Sequence, residues 1–143
     1  MRLCSRRIVG CLFCAIIART SPADVVLDDD SCVAFLDHRP LFPGHVLVVP
    51  RRHRATLADL EPHEVNALFS SVQAFARAIE KAVGADGSFV AMNNGVSQSV
   101  AHAHVHVVPR RRGDGLRGFF WPRRRYAGGE ASDMAARIRA ALA

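Results

Sequence analysis

From Pro62 to Val83 the chain repeats apolar residues at helical spacing, with Val65, Leu68, Phe69, Val72, Phe75, Ala76, Ile79 and Val83 on one stripe. Pro62 suits a first helical turn, Glu61 and Glu64 favour its N-terminal dipole, and Gly84 stands at its exit. The segments around this helix carry strand patterns instead. Val25 to Asp28 and Cys32 to Leu36 predict a hairpin joined by the acidic turn at Asp29 and Asp30, and His45 to Val49 predicts a third strand that Pro50 ends. Phe89 to Met92 predicts a fourth. After the turn Asn93-Asn94-Gly95, the stretch Gln98-Ser99-Val100 leads into the strand His102 to Pro109 and a second hairpin. A short turn or helix is expected over Ala15 to Ala18, before the break at Ser21-Pro22. A last helix, capped by Ser132 and running through about Leu142, is expected to turn Met134 and Ile138 inward. The whole reads as an α+β domain whose long helix covers an antiparallel sheet.

Composition adds size and charge to that outline. The 143 residues, half of them hydrophobic, are enough for one domain with a real core, and no repeat or second domain is visible. Residues 1–143 are read as a single unit with an arginine- and aromatic-rich extension from about 110 to 143. The formal charge of +6 comes from 19 basic residues, of which Lys81 is the single lysine. Much of it lies in Arg51, Arg52 and Arg54, in Arg110 to Arg112 and in Arg123 to Arg125. Such clusters attract phosphorylated ligands, although a solvated basic surface has the same composition. No finger spacing, recognition helix or aromatic-interleaved basic face accompanies them, which argues against nucleic-acid binding. The patch Phe119-Phe120-Trp121-Pro122 suits packing against the body or a second subunit better than base stacking. The apolar run Ile8 to Ile17 is broken by Gly10 and two cysteines and is far short of the roughly 20 residues of a membrane span, so a cytoplasmic protein is expected.

The candidate chemistry is concentrated in His102-Ala103-His104-Val105-His106-Val107-Val108-Pro109. A strand's two-residue period sends all three imidazoles to one face, about 6.6 Å apart, too far to share one small ion but near enough to share one active site. Imidazole can attack phosphorus while its second nitrogen holds a hydrogen bond that fixes the tautomer. His104 then stands at the phosphorus and His106 beside it as proton donor or phosphate-orienting group, with Gln98 and Ser99 supplying hydrogen bonds. Cys11-Leu12-Phe13-Cys14 has metal-ligand spacing, so zinc or a redox pair fits these thiols better than a secreted disulfide framework. Cys32 sits in an apolar strand and reads as a core thiol.

These motifs, together with Phe35-Leu36-Asp37 and Pro43-Gly44-His45-Val46-Leu47-Val48-Val49-Pro50-Arg51-Arg52-His53, resemble the histidine triad, or HIT, family of nucleotidyl hydrolases and transferases. The resemblance runs through nearly the whole chain in one order. It implies a HIT-like fold in which His104 is the nucleophile that becomes nucleotidylated, His106 its phosphate-contacting partner, and His45 an upstream histidine approaching both. It further implies that Asp37 binds ribose hydroxyls, that Asn93 or Asn94 is an amide donor near the nucleotide, and that Gln98 and Ser99 are the polar pair before the triad. Zinc-containing relatives imply a structural zinc on Cys11, Cys14, His53 and His102, a closed four-ligand set. A reduced cysteine pair beside two ordinary histidines is the competing reading. The loop Asn94 to Ser99 is shorter than usual, and Ser97 stands where many relatives carry glycine. The expected reaction is attack on the α-phosphate of a purine nucleotide or dinucleotide, release of an amine, phosphate, sulfate or nucleotide, and hydrolysis of the nucleotidyl-histidine. Transfer to phosphate or another acceptor, including phosphorolysis of a dinucleoside polyphosphate, and a zinc-stabilised nucleotide-binding protein with little turnover are the alternatives. A homodimer, with the long helix and the aromatic segment near its interface, completes the expectation.

Overall fold

The computed structural model describes residues 10–117 and 123–142. Its elements in chain order are helix α1 (Leu12–Ile17), strands β1 (Val25–Asp28), β2 (Cys32–Leu36) and β3 (Val46–Pro50), a short 3-10 turn (Leu57–Asp59), helix α2 (Pro62–Val83), strands β4 (Gly87–Ala91) and β5 (Val105–Arg110), and helix α3 (Glu130–Leu142). The five strands form one antiparallel sheet in the order β1-β2-β3-β5-β4, giving the expected α+β architecture.

Both faces of this sheet are covered, which is why β2 and β3 read as continuous apolar runs rather than as alternation. On one face α2 lays Leu68, Val72 and Ile79 against Ala34, Val46, Val48, Val105 and Val107. On the other, Phe13 and Ile16 of α1 pack on Val33, Phe35, Leu47 and Val49. The second cover is one short helix, so the rest of that face is left for a cavity. Helix α2 begins where the Glu64 carboxylate accepts the Glu61 N–H at 2.8 Å and ends at Gly84, whose φ of 62° is left-handed. Arg54 grips Glu64 through two bonds of 2.9 and 3.1 Å, tying the chain after β3 to the start of α2. Gly44 has φ 99° and passes so close to α2 and β5 that a side-chain carbon there would stand 3.3 Å from Val83. That passage delivers His45 to the sheet.

Several sequence expectations need correction. The histidine strand begins at Val105 and not at His102, because Ala103 donates its N–H to the Arg54 carbonyl at 2.7 Å and His102 to that of Val100 at 2.8 Å. Residues 102–104 are thus tied to the loop after β3 instead of to the ladder, although their alternation persists. Strand β3 begins at Val46, one residue after the expected His45, and ends at Pro50, which lies opposite Cys32. Strand β4 spans Gly87–Ala91, and thirteen residues rather than a tight turn link it to β5. Helix α1 begins at Leu12, three residues before the expected Ala15. Helix α3 starts at Glu130, whose carboxylate accepts the Ala127 N–H at 2.8 Å, so Ser132 lies in its first turn and does not cap it. Ile138 is 55% exposed and does not face inward. The segment Phe119 to Pro122 and the first nine residues lie outside the described residues. Among the described residues, no helix is long and apolar enough to cross a membrane.

Candidate active site and metal cluster

His104, His106 and His45 converge where β5 and the start of β3 meet the open part of the second sheet face. The His104 ring stands 5.1 Å from that of His106, which stands 5.1 Å from that of His45. Their tautomers follow from backbone groups that can only donate or only accept. The His102 carbonyl accepts from His104 Nδ1 at 2.7 Å, so the proton of that ring is on Nδ1 and the lone pair is on Nε2. The Leu41 N–H donates to His45 Nδ1 at 3.1 Å, which puts the His45 proton on Nε2. His45 Nε2 then donates to His106 Nδ1 at 2.9 Å, leaving His106 with its proton on Nε2. A bare ring nitrogen and an N–H donor therefore stand side by side.

Burial, then the neighbouring His104 and His45, pushes the His106 pKa down to about 4, so the ring is neutral near pH 7. The His45 pKa is lowered too, by burial, against an opposing pull from Asp37. An Asp37 oxygen lies 3.7 Å from His45 Nε2, and the other accepts the Arg39 N–H at 2.9 Å. Asp37, His45 and His106 could geometrically gather an ion, but His45 Nε2 and His106 Nδ1 already face each other as donor and acceptor.

A cavity of about 540 Å³ opens in front of these groups. His104, His106 and Ser99 line its β5 side and Asp37 its rim, while Phe13 and Phe35 are among its apolar walls. Its size and mixed lining suit a nucleoside phosphate. Phe13 meets His104 edge to face, with ring centroids 5.0 Å apart, and Phe35 in the same manner at 5.3 Å. No sequence signal marked Phe13, an apolar residue inside a motif read for its sulfurs.

Asn93, Asn94 and Gln98 do not line the cavity. Asn94 Oδ1 accepts the Leu57 N–H at 2.8 Å, and Asn93 Nδ2 donates to the Ser97 carbonyl at 3.1 Å. Gln98 accepts from Gly95 N–H at 2.8 Å and donates to the Ala55 carbonyl at 2.7 Å. These amides hold the loop that carries Ser99 to the cavity. Ser97 adopts φ 57°, the left-handed conformation for which glycine is the usual residue.

Behind Phe13, Cys11, Cys14, His53 and His102 place their donor atoms within 4.8 Å of one another. His102 gives its Nε2–H to the Pro50 carbonyl at 2.8 Å, which aims the Nδ1 lone pair at both sulfurs, each 3.6 Å away. His53 Nδ1 stands 3.3 Å from Cys14 Sγ. Burial lowers the pKa of His53 and takes that of His102 to about 4, keeping both rings neutral as ligands must be. Two sulfurs, two imidazole lone pairs and a backbone carbonyl orienting one ring fit a structural zinc site.

Three clustered histidines at a nucleoside-sized cavity, backed by a Cys2His2 cluster, make up the site. Residues 18–113 match the HIT domain, and the chain belongs to that family. The matched span begins after Cys11 and Cys14. The chain is 40% identical over 108 residues to the adenylylsulfatase HINT3 of Arabidopsis thaliana, covering 74% of this chain and 55% of that protein. It therefore spans little more than half the length of that relative. Among solved structures, a member of the HIT family from Bacillus subtilis is similar at a TM-score of 0.86 and 31% identity, covering 94% of this chain and 98% of that one. A zinc-bound histidine triad family protein from Mycobacterium smegmatis is similar at a TM-score of 0.72 and 37% identity, covering 92% of this chain and 97% of the other.

Proposed function

We propose that this protein is a nucleotidyl hydrolase that works through a covalent nucleotidyl-histidine. The observation that carries the reading is the fixed tautomer of His104, whose Nδ1–H is held by the His102 carbonyl while Nε2 keeps its lone pair beside the cavity. Nε2 attacks the α-phosphorus of a purine nucleotide or dinucleotide, a phosphorus–nitrogen bond forms, and the bond to the leaving group breaks. The positive charge that develops on the ring is stabilised by the carbonyl on Nδ1.

His106 donates Nε2–H to a phosphoryl oxygen. Because its Nδ1 already accepts from His45, it works as a neutral orienting donor and not as a strong acid. The leaving group takes a proton from solvent at the open mouth of the cavity. Water then attacks the phosphorus, His104 leaves, and one water molecule has been added across the original bond. Asp37, on the rim, binds the ribose hydroxyls. Asn93, Asn94 and Gln98 position Ser99, whose hydroxyl reaches the phosphate.

The similarity to an adenylylsulfatase favours an adenylyl group joined to a small leaving group such as sulfate or an amine. Zinc held by Cys11, Cys14, His53 and His102 would supply a cross-link between α1 and the chain entering β5. The whole chain acts as one HIT domain with a C-terminal extension. Two copies pair through the exposed edge strand β4, where Val90 is 42% exposed, and through Phe69 of α2, 38% exposed.

The deciding experiment is intact-mass measurement after brief incubation with adenosine phosphoramidate. An adenylyl adduct on the wild type that is absent from His104→Ala identifies both reaction and nucleophile. Turnover that survives His104→Ala sinks the assignment. Product analysis with added phosphate separates hydrolysis from phosphorolysis.

A further inference from the structure

A second cavity of about 350 Å³ adjoins the first. Arg19, Thr20 and Ser21, at the exit of α1, and Val25, at the head of β1, line it. Ile16, Pro22 and Ala23 belong to the walls of both cavities. Strand β1, whose Val25 lines the second cavity, is separated from β5 by β2 and β3, three strand spacings or about 14 Å from the strand that carries His106. With phosphorus at His104 and ribose at Asp37, the base points toward β1 and its outer edge meets the shared wall.

We propose that the second cavity receives an anionic substituent carried on the nucleobase, so that base-modified nucleotides are substrates alongside plain ones. This inference rests on the nucleotide reading given above. Its chemistry comes from Arg19. Asp28 is paired both with Arg19, at 2.6 Å, and with Arg51, so the trio keeps one net positive charge at the cavity edge. A guanidinium has five N–H donors, and a single bond to Asp28 leaves others for a carboxylate or phosphate.

Three carbonyls of the last turn of α1 are already used. Those of Cys14, Ala15 and Ile16 accept the N–H groups of residues 18–21, and Thr20 Oγ1 also donates to Ala15 at 3.1 Å. They present no bare negative end to the cavity. Asp24 lines the first cavity and not the second, so the substituent must carry its charge past Ala23 on a chain of several atoms.

The test is calorimetric binding to the metal-loaded full-length protein. The ligands are AMP and AMP derivatives bearing a three-carbon chain on N6, C2 or C8, ending in methyl or in carboxylate. For at least one point of attachment the carboxylate ligand should bind about three- to fivefold tighter than its methyl twin. Arg19→Gln should erase that preference with AMP affinity unchanged, and Ser21→Leu, which fills the second cavity, should exclude both chains but not AMP. Equal binding of the twins at all three positions, or a preference that persists in Arg19→Gln, overturns the proposal. Failure of AMP itself to bind overturns the nucleotide reading and this inference with it.

Discussion

His102 and His104 come from one backbone alternation, two residues apart, both buried and both in contact with Phe13, yet their free nitrogens face different surroundings. What separates them is the nitrogen that the backbone occupies. The Pro50 carbonyl takes the Nε2–H of His102 and frees Nδ1 toward two sulfurs. The His102 carbonyl takes the Nδ1–H of His104 and frees Nε2 toward the cavity. Identical residues thus aim their free nitrogens at two different places, one at a pair of sulfurs and one at the cavity, through one hydrogen bond each.

The largest effects should come from breaking either half alone. His104→Ala should lower turnover at least about 10³-fold, the scale on which loss of a covalent nucleophile is felt. Metal content and thermal unfolding should stay near wild type, as measured by elemental analysis and calorimetry. Cys14→Ser should do the reverse. It removes one of the cluster's two sulfurs, and unfolding should drop by about 3 kcal/mol, or about 10 °C for a domain of this size, with zinc lost. If both variants damage both readouts equally, the two histidines do not divide the work as their hydrogen bonds indicate.

Much of this division was open to sequence reasoning and part of it was not. The helix Pro62–Val83 was legible to the residue, since its stripe, capping carboxylates and terminal glycine all agree. The histidine alternation was legible for the same reason, because period 2 is a local property. The true start of β5 was not, because Ala103 bonds to Arg54, a partner almost fifty positions away. Nor was the tautomer of any ring, since each is set by a carbonyl or N–H that only the fold brings near. Asn94 Oδ1 and the Gln98 amide meet Leu57, Gly95 and Ala55, partners that no local pattern points to. Polar residues in a loop look alike whether they hold a ligand or the loop.

Acid should act on the catalytic half through a defined window. An unfolded histidine titrates near 6.5 and His106 in the fold near 4, so between these values the unfolded chain binds a proton that the native chain does not. The stability that this ring contributes is complete above pH 6.5 and is lost as pH falls toward 4. The lowered pKa of His45 works in the same direction. Protonation also replaces the donor-to-acceptor contact between the two rings with two facing N–H groups. Urea midpoints should therefore fall as pH drops from about 6.5 toward 4, whereas turnover of the folded protein should hold until the pH approaches 4, where His106 itself takes up a proton. In His106→Gln the acid shift in the urea midpoint should shrink, and an undiminished shift would place the titrating group elsewhere.

The smallest expected effect is the most informative about how the halves communicate. Phe13 packs on His104 and His102 at 5.0 and 6.0 Å, and its neighbours in sequence, Leu12 and Cys14, belong to the cavity and the cluster respectively. A nucleotide pressing on this ring and a metal ordering α1 would favour the same arrangement. Linkage then requires each to strengthen the other by the same factor. Phe13→Leu keeps an apolar side chain, so its cost should stay within about 1.5 kcal/mol, but it removes the flat ring that both histidines contact. In the wild type, a saturating non-hydrolysable AMP analogue should slow zinc loss to a chelator a few-fold. In Phe13→Leu that protection should vanish while zinc still binds. Protection of the same size in both proteins would show that the shared ring separates the two sites without coupling them.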